Sequence, residues 1–239
     1  MKRTVIILPT YNERRNIAQT IQKLLENFKK IKDYDMHILV VDDNSPDLTW
    51  QIVKHFEAKH DNVHLLRRSR KNGLGTAYVA GFHQAIEKYN ADAVMQMDAD
   101  MSHNPEDVPR FMEALADADV IIGSRYVPGG LNPAMTKWRK FVSRGGNFLA
   151  TKGLGVNLND CTSGFRAIKT EQLKRLNFEK FDAKGYVFLV ELLFKLYKNG
   201  SKIKEIPIRF DERLSGTSKL GKKDMYEFAK TIVCLRLGL

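Results

Sequence analysis

Residues 93–100 read Ala-Val-Met-Gln-Met-Asp-Ala-Asp, a short and mostly apolar run that stops at a pair of carboxylates. A run of this length, cut off by polar residues, reads as a strand buried on both faces. Val5–Leu8, His37–Val41, Val63–Leu66 and Val120–Ile122 have the same form, each ending at a polar or glycine-rich segment. Helical spacing fills the intervals. Ile17, Ile21, Leu24, Leu25 and Phe28 mark one apolar face; Ile52, Val53 and Phe56 a second; Phe82, Ala85, Ile86 and Tyr89 a third; Val108, Phe111, Met112 and Leu115 a fourth. Regular alternation of strand and helix predicts an α/β fold, a mostly parallel, doubly wound sheet with helices on both faces.

The alternation stops near residue 123. A Gly129-Gly130 loop follows, then a basic amphipathic helix carrying Trp138, Phe141, Val142, Phe148 and Leu149, and a strand at Phe165–Ile168. A helix over Val187–Tyr197, a strand over Ile203–Phe210, a Gly/Ser/Lys loop and a basic helix from about Lys222 complete the chain. With no repeat and no low-complexity linker, one domain over residues 1–239 is expected, divided by pattern into 1–123 and 124–239.

Composition narrows the class. The 239 residues are 43% hydrophobic and 28% charged, a globular balance that excludes disordered and fibrous chains. Two cysteines, Cys161 and Cys234, cannot build a disulfide framework and lack zinc-ligand spacing, so a metal would use oxygen or histidine ligands. Glu191 and Lys195 break the longest apolar stretch well short of a membrane span, and Pro9 ends the first run too early for a signal peptide, so a cytoplasmic protein is expected. A net charge of +11 attracts polyanions: nucleic acid, an anionic membrane surface or a phosphorylated small molecule. The charge is uneven, because Val120–Asn159 holds six Lys/Arg and no acid.

In open α/β sheets, ligands bind beyond the carboxyl ends of the strands. Those ends carry Pro9-Thr10-Tyr11-Asn12-Glu13, Asp42-Asp43-Asn44, Asp98-Ala99-Asp100 and Gly123-Ser124-Arg125. Two carboxylates flanking a small residue can hold one divalent cation together with a diphosphate, as Mg²⁺ prefers. The same three residues could instead form a capping turn, with Asp100 or Ser102 starting the helix after Pro105. Asp42-Asp43 stands where an acid holds a ribose hydroxyl or a base edge, or where an Asx turn forms, with Asp47 capping the next helix. Gly73-Leu74-Gly75 lacks the third glycine of a dinucleotide fingerprint, and Gly216–Lys222 lacks the Ser/Thr that closes an ATP-binding loop. In Arg213–Lys219, small residues give mobility and two cations could cover a diphosphate.

Taken together, Leu8–Glu13, Val41–Asp47, Gly73–Tyr78, Asp98–His103, Gly123–Tyr126, Thr162–Arg166 and Lys184–Phe188 resemble, in order and over nearly the whole chain, the dolichol-phosphate (polyprenol-phosphate) mannosyltransferases. The resemblance implies the GT-A nucleotide-sugar transferase fold and inverting, single-displacement transfer of mannose from GDP-mannose to a polyprenyl or dolichyl monophosphate. It places Pro9, Tyr11, Glu13, Val41 and Asp43 around the nucleoside, and Asp98, Ala99 and Asp100 at the diphosphate, with Asp98 and Asp100 holding Mg²⁺ or Mn²⁺. It turns Arg125, Arg139 and Ser143 toward the acceptor phosphate and closes Arg213 and Lys219 over the donor. It also implies peripheral attachment to the cytoplasmic face of a membrane, and allows a small membrane-anchoring subunit as partner. Asn44 and Leu48 depart from the family, which commonly has glycines there; Ser102 departs from the longer amide that some members carry. Two alternatives stand beside this reading: the same fold using a UDP-sugar to carry glucose or N-acetylglucosamine, and a basic nucleic-acid-binding module, in which the strand-end acids would repel the ligand.

Overall fold

The computed structural model describes residues 1–133, 137–181, 185–211 and 222–237; the side chains of residues 137–142, 180 and 222–225 lie outside that description. Among the described residues seven strands form one sheet: β1 (Lys2–Thr10), β2 (Tyr34–Asp42), β3 (Val63–Arg67), β4 (Ala93–Gln96), β5 (Val120–Ser124), β6 (Arg166–Lys169) and β7 (Ile203–Pro207). Their order is β3-β2-β1-β4-β6-β5-β7. All neighbours run parallel except β6, which is antiparallel to both β4 and β5. β6 and β7 come from the second half of the chain and extend the sheet begun by the first.

Strand alternation assigns each face its helices. Val5, Ile7, Leu39, Val41, Val94, Ile122 and Ile168 point to one side, onto α3 (Leu74–Glu87), α5 (Lys137–Leu154), α7 (Val187–Lys198) and α8 (Lys222–Leu237). Ile6, Leu8, Ile38, Val40, Met95, Ile121 and Ala167 point to the other, onto α1 (Ile17–Phe28), α2 (Thr49–Glu57) and α4 (Val108–Ala114). A short α6 (Thr170–Lys174) follows β6 directly. α3 lies close to the sheet because Gly81 has no side chain: a Cβ there would stand 2.6 Å from Ile7 and 3.3 Å from Val41.

Two expectations need adjusting. The strand expected over Ile203–Phe210 ends at Pro207, where its partner β5 also ends; Phe210 donates its N–H to the Leu131 carbonyl and bridges His103. The helix after Pro105 is capped by neither Asp100 nor Ser102. Asn104 does this, its side chain accepting the Glu106 N–H ahead of a single 3₁₀ turn that leads into α4.

The positions that depart from glycine are also settled. Asn44 (φ 56°) and Leu48 (φ 67°) are both left-handed, the conformation glycine adopts without penalty. Asn tolerates it, whereas a Leu side chain is strained there. Leu48→Gly is therefore expected to raise stability by roughly 1 kcal/mol after allowing for glycine's freedom in the unfolded chain, visible as a melting shift of a few degrees.

At the opposite end of the sheet, His37 and His64 share a hydrogen bond of 3.0 Å, His64 stacks on Tyr89 and His37 contacts Asp35. Burial, and then the facing His37, push the His64 imidazole below its ordinary 6.5. The unfolded chain takes up this proton as pH falls through 6.5 while the folded chain resists it, so stability should decline on acidification below that value. Urea unfolding at several pH values checks this, and His64→Phe, which keeps the stack on Tyr89, should flatten the slope.

Candidate active site

The carboxyl ends of β1 to β5 and β7 share one edge of the sheet, and β6, being antiparallel, brings its amino end to the same edge. The residues beyond that edge form three groups.

The first joins the loops after β1 and β2. Asp42 is fully buried and accepts from Thr10 Oγ1 (2.9 Å), Ser45 N–H (2.9 Å) and Ser45 Oγ (2.6 Å). Ser45 Oγ in turn accepts the Asn12 N–H, Thr49 Oγ1 accepts the Glu13 N–H, and Asp47 accepts N–H groups from Arg14 and Thr49. Asp42 and Asp47 thus make the turn that one of the two alternatives expected, but Asp47 is not the cap of α2: the N-cap residue is Leu48, with no side-chain cap hydrogen bond. Asp43 faces elsewhere. Its Oδ1 is 3.2 Å from Arg68 Nη1, within ion-pair range but not aligned as a hydrogen bond. Burial raises the Asp43 carboxyl, and Arg68 partly offsets this. Pro9 lies beside Val41 in the ladder, Tyr11 carries the Lys71 ammonium 4.0 Å over its ring, and Glu13 accepts from Asn16. Arg68 and Lys71, just after β3, belong to this group and were missed in the sequence. The strand-end rule would have found them had it been applied to β3.

The second group is the carboxylate turn. Asp100 is buried and pinned through Oδ1 by Ser102, whose N–H and Oγ–H donate at 3.0 and 2.5 Å. Ser102 therefore holds Asp100 in place. The Ala99 carbonyl accepts from Thr20 on α1 (3.0 Å), and Met101 is forced into a left-handed conformation (φ 67°). The Asp98 N–H donates to His103 Nδ1 (3.0 Å), so the ring hydrogen is on Nε2. His103 is stacked on Phe165 with centroids 4.7 Å apart, and the edge of Phe210 packs at 5.4 Å. Asp211, the last described residue before the Arg213–Lys219 segment, donates its N–H to the Ser102 carbonyl. Arg213 and Lys219 themselves lie outside the described residues.

Among the described residues no group of three or more His, Cys, Asp or Glu could cage a metal. Two carboxylates two residues apart still fit a hard cation whose remaining ligands are water and phosphate oxygens.

The third group lies between β5 and β6. Arg125 is nearly buried and spends two guanidinium nitrogens inside the protein: Nε and Nη2 bind Asp160 at 2.7 and 2.8 Å, and Nη2 also donates to Thr162 Oγ1 (2.7 Å). Burial works against both charges. Each nonetheless holds the other, keeping the Asp160 carboxyl below its ordinary range and the guanidinium above its own. The arginine that opens the acid-free stretch is therefore neutralised by the first acid after it. Tyr126 Oη is 2.7 Å from Ser143 Oγ, which brings α5 against the loop after β5. The Arg139 side chain lies outside the described residues. Beneath this group Arg166 is fully buried and donates to the carbonyls of Leu189 (2.5 Å) and Cys161 (2.9 Å), tying the strand end to α7. Burial brings its guanidinium down to about 10 and pushes the Cys161 thiol up to about 12, so that cysteine is inert.

On α5, Arg144, Phe148 and Leu149 are exposed. α8 packs against α5 and exposes Tyr226, Val233 and Leu237. Among the described residues no helix is long and apolar enough to cross a membrane.

The buried Asp43 beside Arg68, the carboxylate turn and the Arg125–Asp160 pair thus gather beyond one edge of the sheet. Residues 5–176 match the model of glycosyl transferase family 2, and the chain belongs to that family of enzymes. It is 41% identical over 221 residues to the undecaprenyl-phosphate mannosyltransferase of Micrococcus luteus, covering 91% of this chain and 87% of that one. It is 39% identical over 229 residues to the polyprenol monophosphomannose synthase of Mycolicibacterium smegmatis, covering 95% and 84% respectively. Among solved structures it is similar to glucosyl-3-phosphoglycerate synthase from Mycobacterium tuberculosis in complex with Mn²⁺, UDP and glucosyl-3-phosphoglycerate, with a TM-score of 0.69 at 16% identity over 99% of this chain and 79% of that one. The GT-A fold expected from the sequence is the fold found.

Proposed function

We propose that this enzyme transfers mannose from GDP-mannose to a polyprenyl monophosphate, with inversion, in a single displacement at a membrane surface. The observation that carries the reading is the 41% identity, over 91% of the chain, to a mannosyltransferase named for a polyprenyl phosphate acceptor. The geometry is consistent with it. Asp43, presented by the Asp42 turn, and Tyr11 would take the nucleoside. Asp98 and Asp100 would hold a Mg²⁺ or Mn²⁺ ion, which when bound neutralises the donor diphosphate. The related synthase from Mycobacterium tuberculosis, crystallised with Mn²⁺ and UDP, supports that assignment by fold alone.

The acceptor supplies its own nucleophile. A phosphate monoester with a second pKa of about 6 is largely a dianion at neutral pH, so attack at the anomeric carbon needs no general base. The protein's task is to bring two polyanions together in line. Arg125 and Ser143 are proposed to meet the acceptor phosphate, with Arg139 joining them from α5. Arg213 and Lys219 are proposed to close over the leaving diphosphate, entering from Asp211 beside the carboxylate turn. The exposed Phe148, Leu149, Val233 and Leu237, with Arg144 and Arg236 near them, suit a helix pair that rests on an anionic membrane. A small anchoring subunit could share that surface.

Calorimetric titration with GDP and then UDP, each with and without Mn²⁺, tests the donor side. Metal-dependent GDP binding is expected. Preference for UDP would move the reading to a glucose or N-acetylglucosamine donor, and binding of neither would overturn it. Family membership already favours an enzyme over a nucleic-acid-binding module.

A further inference from the structure

We propose that Asp160 is a positioning residue for the acceptor phosphate, acting by fixing which nitrogen of Arg125 the acceptor meets. The inference rests on the acceptor role of Arg125 proposed above and adds a residue and a direction to it.

Asp160 has no exposed side-chain surface and is built into its place from every side. Glu205 on β7 accepts the N–H groups of Asn159 and Asp160, at 2.8 and 2.9 Å. The N–H groups of Thr162 and Ser163 donate to Asp160 Oδ1, and the Arg125 N–H donates to Oδ2 (3.1 Å). Against this fixed carboxylate the guanidinium has one orientation, with Nε on Oδ2 and Nη2 on Oδ1 and Thr162. The fork an arginine normally offers to a phosphate is thus already taken. What remains among the described residues is Nη1, one nitrogen with two N–H groups held in a fixed plane. The guanidinium lies over the rings of Tyr126 (5.3 Å) and Phe210 (5.6 Å), and Phe210 itself packs on His103 at the carboxylate turn. Arg125 is therefore held next to the carboxylate turn, one ring away from His103.

The ion pair is also nearly neutral, so it contributes direction and little net attraction. This separates positioning from electrostatics by sign. Were Arg125 valued for charge alone, removing the Asp160 charge would strengthen acceptor binding, because the dianion would meet an unopposed cation. If Asp160 sets the orientation, the same change weakens it: an amide in place of the carboxylate turns an N–H₂ toward an N–H donor of Arg125, and the guanidinium must re-aim.

The experiment uses the full chain, with GDP-mannose and a short-chain polyprenyl monophosphate in detergent micelles. For Asp160→Asn the KM for the polyprenyl phosphate is expected to rise about tenfold, the loss of one well-aimed hydrogen bond to a charged group, with the KM for GDP-mannose and Mn²⁺-dependent GDP binding unchanged. Thr162→Val, which removes one anchor and leaves the ion pair, should move the acceptor KM in the same direction by a smaller factor. It serves as the second variant should Asp160→Asn not fold. A lower acceptor KM in either variant would overturn the proposal in favour of a charge effect, and an equal rise in donor and acceptor KM in favour of a structural role. An unchanged acceptor KM would also overturn it. Failure of the underlying reading looks different, since the unmodified protein would then transfer nothing to the polyprenyl phosphate.

Discussion

Asp100→Asn is expected to lower transfer by about a thousandfold while leaving the protein folded, because it removes one of the two charges that would hold a cation against the donor diphosphate. The asparagine carbonyl can still accept from the Ser102 N–H and Oγ–H, the contacts that pin Asp100 now. The left-handed turn at Met101 and the Ala99 contact to α1 do not involve the substituted group. Melting temperature should therefore stay within a few degrees, and Mn²⁺-dependent GDP binding should be lost. Asp100→Ala removes the pin as well and should combine the same loss of activity with a modest loss of stability. Transfer by Asp100→Asn at near-normal rate under saturating Mg²⁺ would show that this carboxylate does not carry the cation.

The second large effect falls on stability. Asp42→Ala would leave Thr10 Oγ1 and two donors of Ser45 without their acceptor in a fully buried place. A loss of roughly 3 kcal/mol is expected, with a melting shift on the order of 10 °C. Its neighbour should behave in the opposite way. Asp43→Ala strands Arg68, which keeps a hydrogen bond to Thr76, and the Asn72 N–H, so the fold should lose about 1 kcal/mol. Donor binding should weaken by about tenfold or more, because the acid proposed to meet the nucleoside is gone. Chemical denaturation and calorimetry on the two variants check both halves of this contrast. Equal effects of the two on stability would contradict the division of labour.

That contrast shows where the sequence was readable. Two adjacent acids at a strand end are equivalent in one dimension, since each could make the turn and each could meet a ligand. Only the side-chain directions decide, and those depend on Ser45 and Thr10 arriving from two loops. The strands and most helices were legible because apolar period alone sets them, and the buried runs Val5–Leu8 and Ala93–Met97 have no other comfortable home. The reversal of β6 was not legible: nothing in the residues Arg166–Lys169 marks a strand's direction, which follows from the Asp160–Gly164 turn that Arg125 and Arg166 hold. The charge map failed at one informative point. A stretch without acids looked free to bind anions, yet Arg125 found its partner one residue beyond the end of that stretch. The part His103 plays is not legible either, because a ring accepting a backbone N–H leaves no periodic trace.

The most direct test of the central claim is transfer itself. The purified protein is incubated with radiolabelled GDP-mannose, Mn²⁺ and a polyprenyl monophosphate in detergent, and the organic phase is counted, with UDP-glucose run in parallel. Label entering the lipid phase from GDP-mannose, dependent on both the metal and the phosphate group of the acceptor, is the predicted result. Label entering only from UDP-glucose, or from neither donor, would contradict it.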